Sequence, residues 1–208
     1  MTHRGSSAGS VGIALVVLVT LACMTPRPVI RDRLGRDAPG VMQRLIVLPF
    51  QLEAAEIDDL AATELLERFV AEELSRVGYD VIPSQDFRVA DEQAEQRPAD
   101  QRERLRLADQ EFGASGALSG RVLRYRQRKG QQYGALRPAS VAFELKLHDV
   151  SSARLVWSGS FDETQQALTL SPARARGYPG GGTRWLTAAE LTQWGAQAAV
   201  ARLKQHFP

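Results

Sequence analysis

Few side chains in this sequence could carry covalent or metal chemistry. Cys23 is the only cysteine among 208 residues, and after it the chain holds two histidines, His148 and His206. No H-E-x-x-H, C-x-x-C or similar spacing gathers ligands for a metal, so no cofactor is expected. Ser115 and Ser119 stand in the small-residue run 113–120, which lacks the G-x-S-x-G spacing of a nucleophile elbow. That run reads instead as a helix end passing into a strand, where small residues permit close backbone approach. Asp149, Asp162 and Glu163 fall at strand ends, and an envelope hydrolase or carbohydrate-processing enzyme would need two such carboxylates to converge. Turn and cap duty is the ordinary use of such residues.

Two clusters suit recognition better than catalysis. Arg121, Arg124, Arg126, Arg128 and Lys129 make a local positive excess, with residues 124, 126 and 128 on one side of an extended chain. Such a stripe suits anionic lipid headgroups or an acidic protein patch, and equally a basic edge strand that resists edge pairing. Gly180, Gly181 and Gly182, with Arg184 nearby, precede a helix start where backbone N–H groups favour an anion. The Lys-Ser/Thr of a phosphate loop is missing, so partner binding is the better use for the 163–186 loop. The contact candidates there are Tyr178, Trp185, Arg174, Arg176 and Arg184, joined by Arg124 and Arg126, because aromatic and arginine side chains dominate interface energetics.

The amino terminus gives the compartment. Arg4 is followed by the uncharged, largely apolar stretch 11–21 and then by small Ala22, the tripartite order of a secretory leader. That apolar run falls well short of the ~20 residues needed to cross a bilayer core. Residues 19–23, Val-Thr-Leu-Ala-Cys, resemble the lipobox of bacterial lipoproteins. The resemblance implies that residues 1–22 are a signal peptide and that Cys23 is acylated as the first residue of the mature chain. By the same resemblance, Met24 in place of aspartate points to the periplasmic face of the outer membrane rather than the inner. A solitary acylated cysteine leaves no thiol for a disulfide or for thiol catalysis in an oxidising compartment. An exported chain of net charge +2 does not ordinarily meet nucleic acid.

The elements that would position these residues follow from periodicity. Residues 23–43, with Pro, Gly and Asp and no apolar period, read as a flexible tether with a span of about 25 Å. Residues 45–50 form an apolar run of strand character. From Asp58, a candidate N-cap, Leu66, Phe69, Val70, Leu74 and Val77 recur at helical spacing and stop at Gly78, a natural C′ residue. A short strand over 79–83 completes strand, helix, strand, the order of a crossover unit. A second helix is expected over 98–112, and strands over 117–126, 141–150 and 155–162. In the middle strand Val141, Phe143, Leu145 and Leu147 alternate with Glu144, Lys146 and His148, which predicts one wet face. The polar connection 149–154 suits an antiparallel hairpin. Thr187 and Glu190 form a capping box that opens a last helix with Leu191, Trp194, Ala198 and Leu203 on its apolar stripe.

Taken together, residues 45–50, the helix end at Gly78, residues 79–82, the run 112–120 and the hairpin from residues 145–150 to 155–159 resemble a periplasmic α/β domain. It is shared by the curli-secretion lipoprotein, the amino-terminal domain of the Tol-system propeller protein and lipoprotein activators of penicillin-binding proteins. The resemblance covers roughly residues 44–162 and implies fold; it transfers no catalytic residue. The expected class is α/β, or α+β: a single domain over residues 44–208 with helices on a mixed, partly antiparallel sheet. Its expected role is non-enzymatic, as an assembly, secretion or activation factor of the envelope. The expected partners are the membrane, through the lipid on Cys23, another envelope protein or cell-wall component, and a second copy of the chain.

Overall fold

The computed structural model describes residues 30–36, 38–39, 41–53, 61–94 and 100–208. Cys23, the leader, Asp58 and Pro98 lie outside the described residues. The chain runs through β1 (Ile30–Leu34), β2 (Arg44–Val47), β3 (Gln51–Leu52), α1 (Ala62–Arg76), β4 (Asp80–Ile82), α2 (Ser84–Gln93), α3 (Gln101–Phe112) and β5 (Gly116–Arg126). It continues through β6 (Lys129–Gln131), β7 (Gly134–Arg137), β8 (Ser140–Asp149), β9 (Leu155–Thr164), α4 (Pro172–Ala175) and α5 (Ala188–His206). This is the single-domain α/β class the periodicity called for, with the main sheet ordered β1-β9-β8-β5-β2-β4 and β3 beside β5.

The crossover unit is present. β2 and β4 pair in parallel, Leu45 opposite Val81, and β5 pairs in parallel on the other side of β2. Parallel strands need both faces covered, and here both are. Leu45, Val47, Leu118 and Val122 meet α1 and α5 on one face, while Ile46 and Ala117 meet Phe87, Leu105 and Ala108 of α2 and α3 on the other. The β5, β8 and β9 meander is antiparallel and keeps one face open, carrying Arg121, Glu144, Lys146, Ser158 and Ser160.

Helix ends follow local chemistry. Asp100 caps α3 by accepting from the Glu103 backbone N–H at 3.0 Å, and Gly113 closes it at φ 58 in the left-handed region. Thr187 and Glu190 make the reciprocal capping box of α5. Midway along that helix, Gly195 lets the backbone approach the stacked Phe143 and Phe161 rings, whose atoms stand 2.9 Å from where a Cβ would be.

Three expectations are corrected. Residues 30–34 are not tether but an edge strand paired antiparallel with β9. Their inward residue is charged: Asp32 reaches Arg202 at 2.9 Å and His206 at 2.8 Å on α5, and a pair so distant in sequence leaves no local period. The short helix α2 went unread because Phe87 is its one fully buried apolar anchor. His148, expected on a wet face, is 7 % exposed, covered by α3 with its ring nitrogen 2.7 Å from the Gln101 amide. That burial, followed by the charge of Lys146, pushes its imidazole below the usual range.

Candidate functional site

The end of the sheet where β5 stops, β8 starts and β9 stops carries two excursions, the β6–β7 hairpin and the 165–186 loop. Both are fastened from beneath by polar side chains. Glu163 is 2 % exposed and holds the loop by accepting from Arg174 (Nε 3.1 Å, Nη2 2.5 Å) and from the Tyr178 hydroxyl at 2.6 Å. The Tyr178 ring packs edge-on against Trp194 of α5. Burial, then the Glu163 carboxylate, pushes the Tyr178 hydroxyl up to about 12.

Gln165 serves both ends of the loop, donating to the Arg184 carbonyl at 2.9 Å and accepting the Leu186 N–H at 2.6 Å. The hairpin is tied to the same place. The Trp185 N–H donates to the Gln132 carbonyl at 2.7 Å, and Arg128 donates to the Trp185 carbonyl at 2.6 Å. Buried polar groups need such partners, and here they hold two irregular segments as one rigid end.

What this end presents outward is apolar and basic. Tyr133 and Leu136 on the hairpin are 75 % and 90 % exposed, and Leu170 on the loop is 83 % exposed. Arg176 on the loop and Lys129 on the hairpin are exposed as well. Single exposed apolar residues are ordinary, and several on one braced end make a candidate contact surface.

The residues expected from sequence are thereby sorted. Arg176 is exposed and Trp185 half-buried. Tyr178, 2 % exposed, is a core residue, and Arg174 is its partner on Glu163. Arg184 is paired with Glu190 at 2.7 Å. Arg124 pairs with Asp162 on the open face and donates to the Ser140 hydroxyl at 2.7 Å, with Arg126 further along the same strand. The hairpin residues Tyr133 and Leu136 were missed, although an apolar pair flanking Gly134 inside a basic stretch was their signal.

The carboxylates do not converge. Asp162 and Glu163 are consecutive on β9 and face opposite sides of the sheet, while Asp149 lies at the far end of β8, accepting from Ser151 and Ser152. Ser115 is bound to the Arg44 backbone, and Ser119 donates to the Lys146 carbonyl at 3.4 Å. Among the described residues no group of three metal-capable side chains exists, and no helix is long and apolar enough to cross a membrane.

No protein-family model matches the chain. Nor does any curated protein sequence. Among solved structures it is similar to the PelC dodecamer from Paraburkholderia phytofirmans at 17% identity, with 86% of this chain and 98% of that one covered and a TM-score of 0.51. It is also similar to lipoprotein GNA1162 from Neisseria meningitidis (22% identity, 61% and 81% covered, TM-score 0.44). A third is the LpoB C-terminal domain from Salmonella enterica (16% identity, 62% and 87% covered, TM-score 0.42). With PelC the likeness is one of fold, shared over nearly the whole of that protomer.

Proposed function

We propose that this chain is a lipid-anchored envelope factor without enzymatic activity, which works through protein contacts made at its hairpin-and-loop end and assembles with copies of itself. The observation that carries the reading is the braced surface of Tyr133, Leu136 and Leu170. Self-assembly rests on the likeness in fold to a protein crystallised as a dodecamer. At 17% identity that likeness is one of fold.

Position supports the role. β1 runs antiparallel to β9 with Ile30 opposite Phe161, so its amino-terminal end points toward the hairpin-and-loop end. From Cys23 to Ile30 an extended chain reaches at most about 25 Å. A lipid on Cys23 would therefore hold that end close to the membrane surface, raising its effective concentration toward partners there.

Crosslinking in living cells from a photoreactive residue at position 136, followed by identification of the adducts, is the test. The reading expects envelope proteins and copies of the chain, lost together with membrane retention in Cys23→Ser. Normal processing and unchanged membrane retention of Cys23→Ser would remove the anchor. Turnover of an envelope glycan by the purified chain would replace the reading with an enzymatic one.

A further inference from the structure

The two edges of the main sheet are opposite in charge. Between residues 62 and 93, the span of α1, β4 and α2, stand eight carboxylates and three arginines. The edge strand β4 lies at the floor of an open groove of about 1040 Å³ between α1 and α2, lined by Glu64, Glu72, Val81, Val89 and Glu92 among others. Glu64 and Glu92 have no ion-pair partner among the described residues. Only the 4.0 Å approach of Arg68 attends Glu72.

The groove is preformed. Glu67, 3 % exposed, accepts from Ser84 at 2.5 Å and from Arg88 at 2.8 Å, which fixes α2 against α1. Asp80 donates its backbone N–H to Gln43 at 2.9 Å, toward β2. Backbone groups alternate sides along a strand, so the N–H and C=O of Val81 point out of the sheet into the groove.

At the other edge, β1 shows an unpaired outer side and three exposed arginines, Arg31, Arg33 and Arg36, without ion-pair partners among the described residues. Its one carboxylate, Asp32, is turned inward to α5. Five strand spacings, about 24 Å, separate β1 from β4 across the sheet, so a chain cannot bring its own two edges together. A second copy can.

We propose that β1 of one copy lies along β4 in the α1–α2 groove of the next, extending the sheet from chain to chain. This rests on the self-assembly reading above and names its surface. Three geometric facts support it. β1 runs opposite to β5 whereas β4 runs with it, so a continued sheet pairs the two antiparallel. Arg31 and Arg33 lie on the face that bears α2, which sets them toward Glu92 in the groove, while Leu34, 45 % exposed, lies on the face that bears α1. Leu34 is level with Leu118 and Val81 with Gly116, an offset of two residues or about 7 Å.

A contact of this kind joins two different surfaces, so it repeats head to tail and closes into a ring where the rotation permits. It also leaves the hairpin-and-loop end of every copy facing the same way, which is what a lipid on each chain demands.

The test is a charge-swap pair on the full chain extracted in detergent, with mass read by light scattering. Arg31→Glu with Arg33→Glu, and separately Glu72→Arg with Glu92→Arg in the groove, should each reduce the assembled fraction to under about a tenth at equal concentration, because like charges then face one another. Mixing the two variants should restore assembly, since each edge again meets its opposite; a folding defect could not be rescued in this way. Raising salt to about 1 M should dissociate the wild type. A wild-type assembly that survives both reversals overturns this contact and leaves self-assembly standing. A wild type that is a single chain throughout overturns the self-assembly reading and the contact with it.

Discussion

Replacing Tyr178 by Phe separates a supporting role from a contact role. The substitution keeps the ring against Trp194 and deletes one hydroxyl, which donates to the buried Glu163 carboxylate at 2.6 Å. A hydrogen bond to a charged group contributes about 1.5–3 kcal/mol. Glu163 is not stranded, because Arg174 still donates to both of its oxygens. The Gln166 N–H loses its 3.3 Å acceptor, but Gln166 is exposed and water replaces it. The net loss is therefore about 2 kcal/mol, or about 4–8 °C in Tm for a domain of this size. Urea unfolding at unchanged m, with thermal unfolding beside it, measures the loss.

The pH profile gives a second readout of the same bond. Burial raises the Tyr178 hydroxyl to about 12 in the folded chain, above the ordinary tyrosine value of about 10. Its contribution is fully present below pH ~10 and is lost as pH rises from there toward 12. Tyr178→Phe should flatten that alkaline limb. A Tm within about 1 °C of wild type, coupled with loss of partner crosslinks, would refute the core assignment.

Other outcomes can be stated from the same structure. Gly195→Ala gains about 1 kcal/mol of helix propensity, yet its Cβ meets three ring atoms of Phe143 and Phe161 at 2.9 Å. Overpacking costs about 1–3 kcal/mol, so urea titration should show a net loss; a gain would mean that the rings yield freely. Glu190 is held down to about 2, chiefly by its hydrogen bond with Arg184, against desolvation and with help from the Thr187 N–H. Its stabilising share is present above pH ~4.5 and is lost as pH falls toward 2, so Glu190→Gln should flatten the acid limb of stability against pH. Leu136→Ser with Leu170→Ser should leave stability within about 0.5 kcal/mol, since both are exposed, and should deplete the adducts made at the hairpin end. Unchanged adducts would move the contact surface elsewhere.

Much of the fold was legible because its signals are local. The alternation from Val141 to Leu147, the helical repeat from Leu66 to Leu74 and the Thr187–Glu190 box each lie within a few residues, and each forms the element expected. The candidate site was less legible. Aromatic and arginine types singled out the 163–186 loop, yet type does not say which way a side chain faces. Tyr178 and Arg174 turn inward onto Glu163, while Tyr133 and Leu136, unremarked in the sequence, face out.

By itself the sequence determined the class, the crossover order and the motif at Cys23, since hydrophobic period and a solitary thiol are properties of neighbouring residues. Tertiary structure decided where the domain begins, which carboxylates are buried and how the sheet edges are charged. Asp32 finds Arg202 across 170 residues and Glu67 finds Arg88 across 21. Such pairs stabilise only once packing has removed water from around them, and no spacing in the chain announces them beforehand.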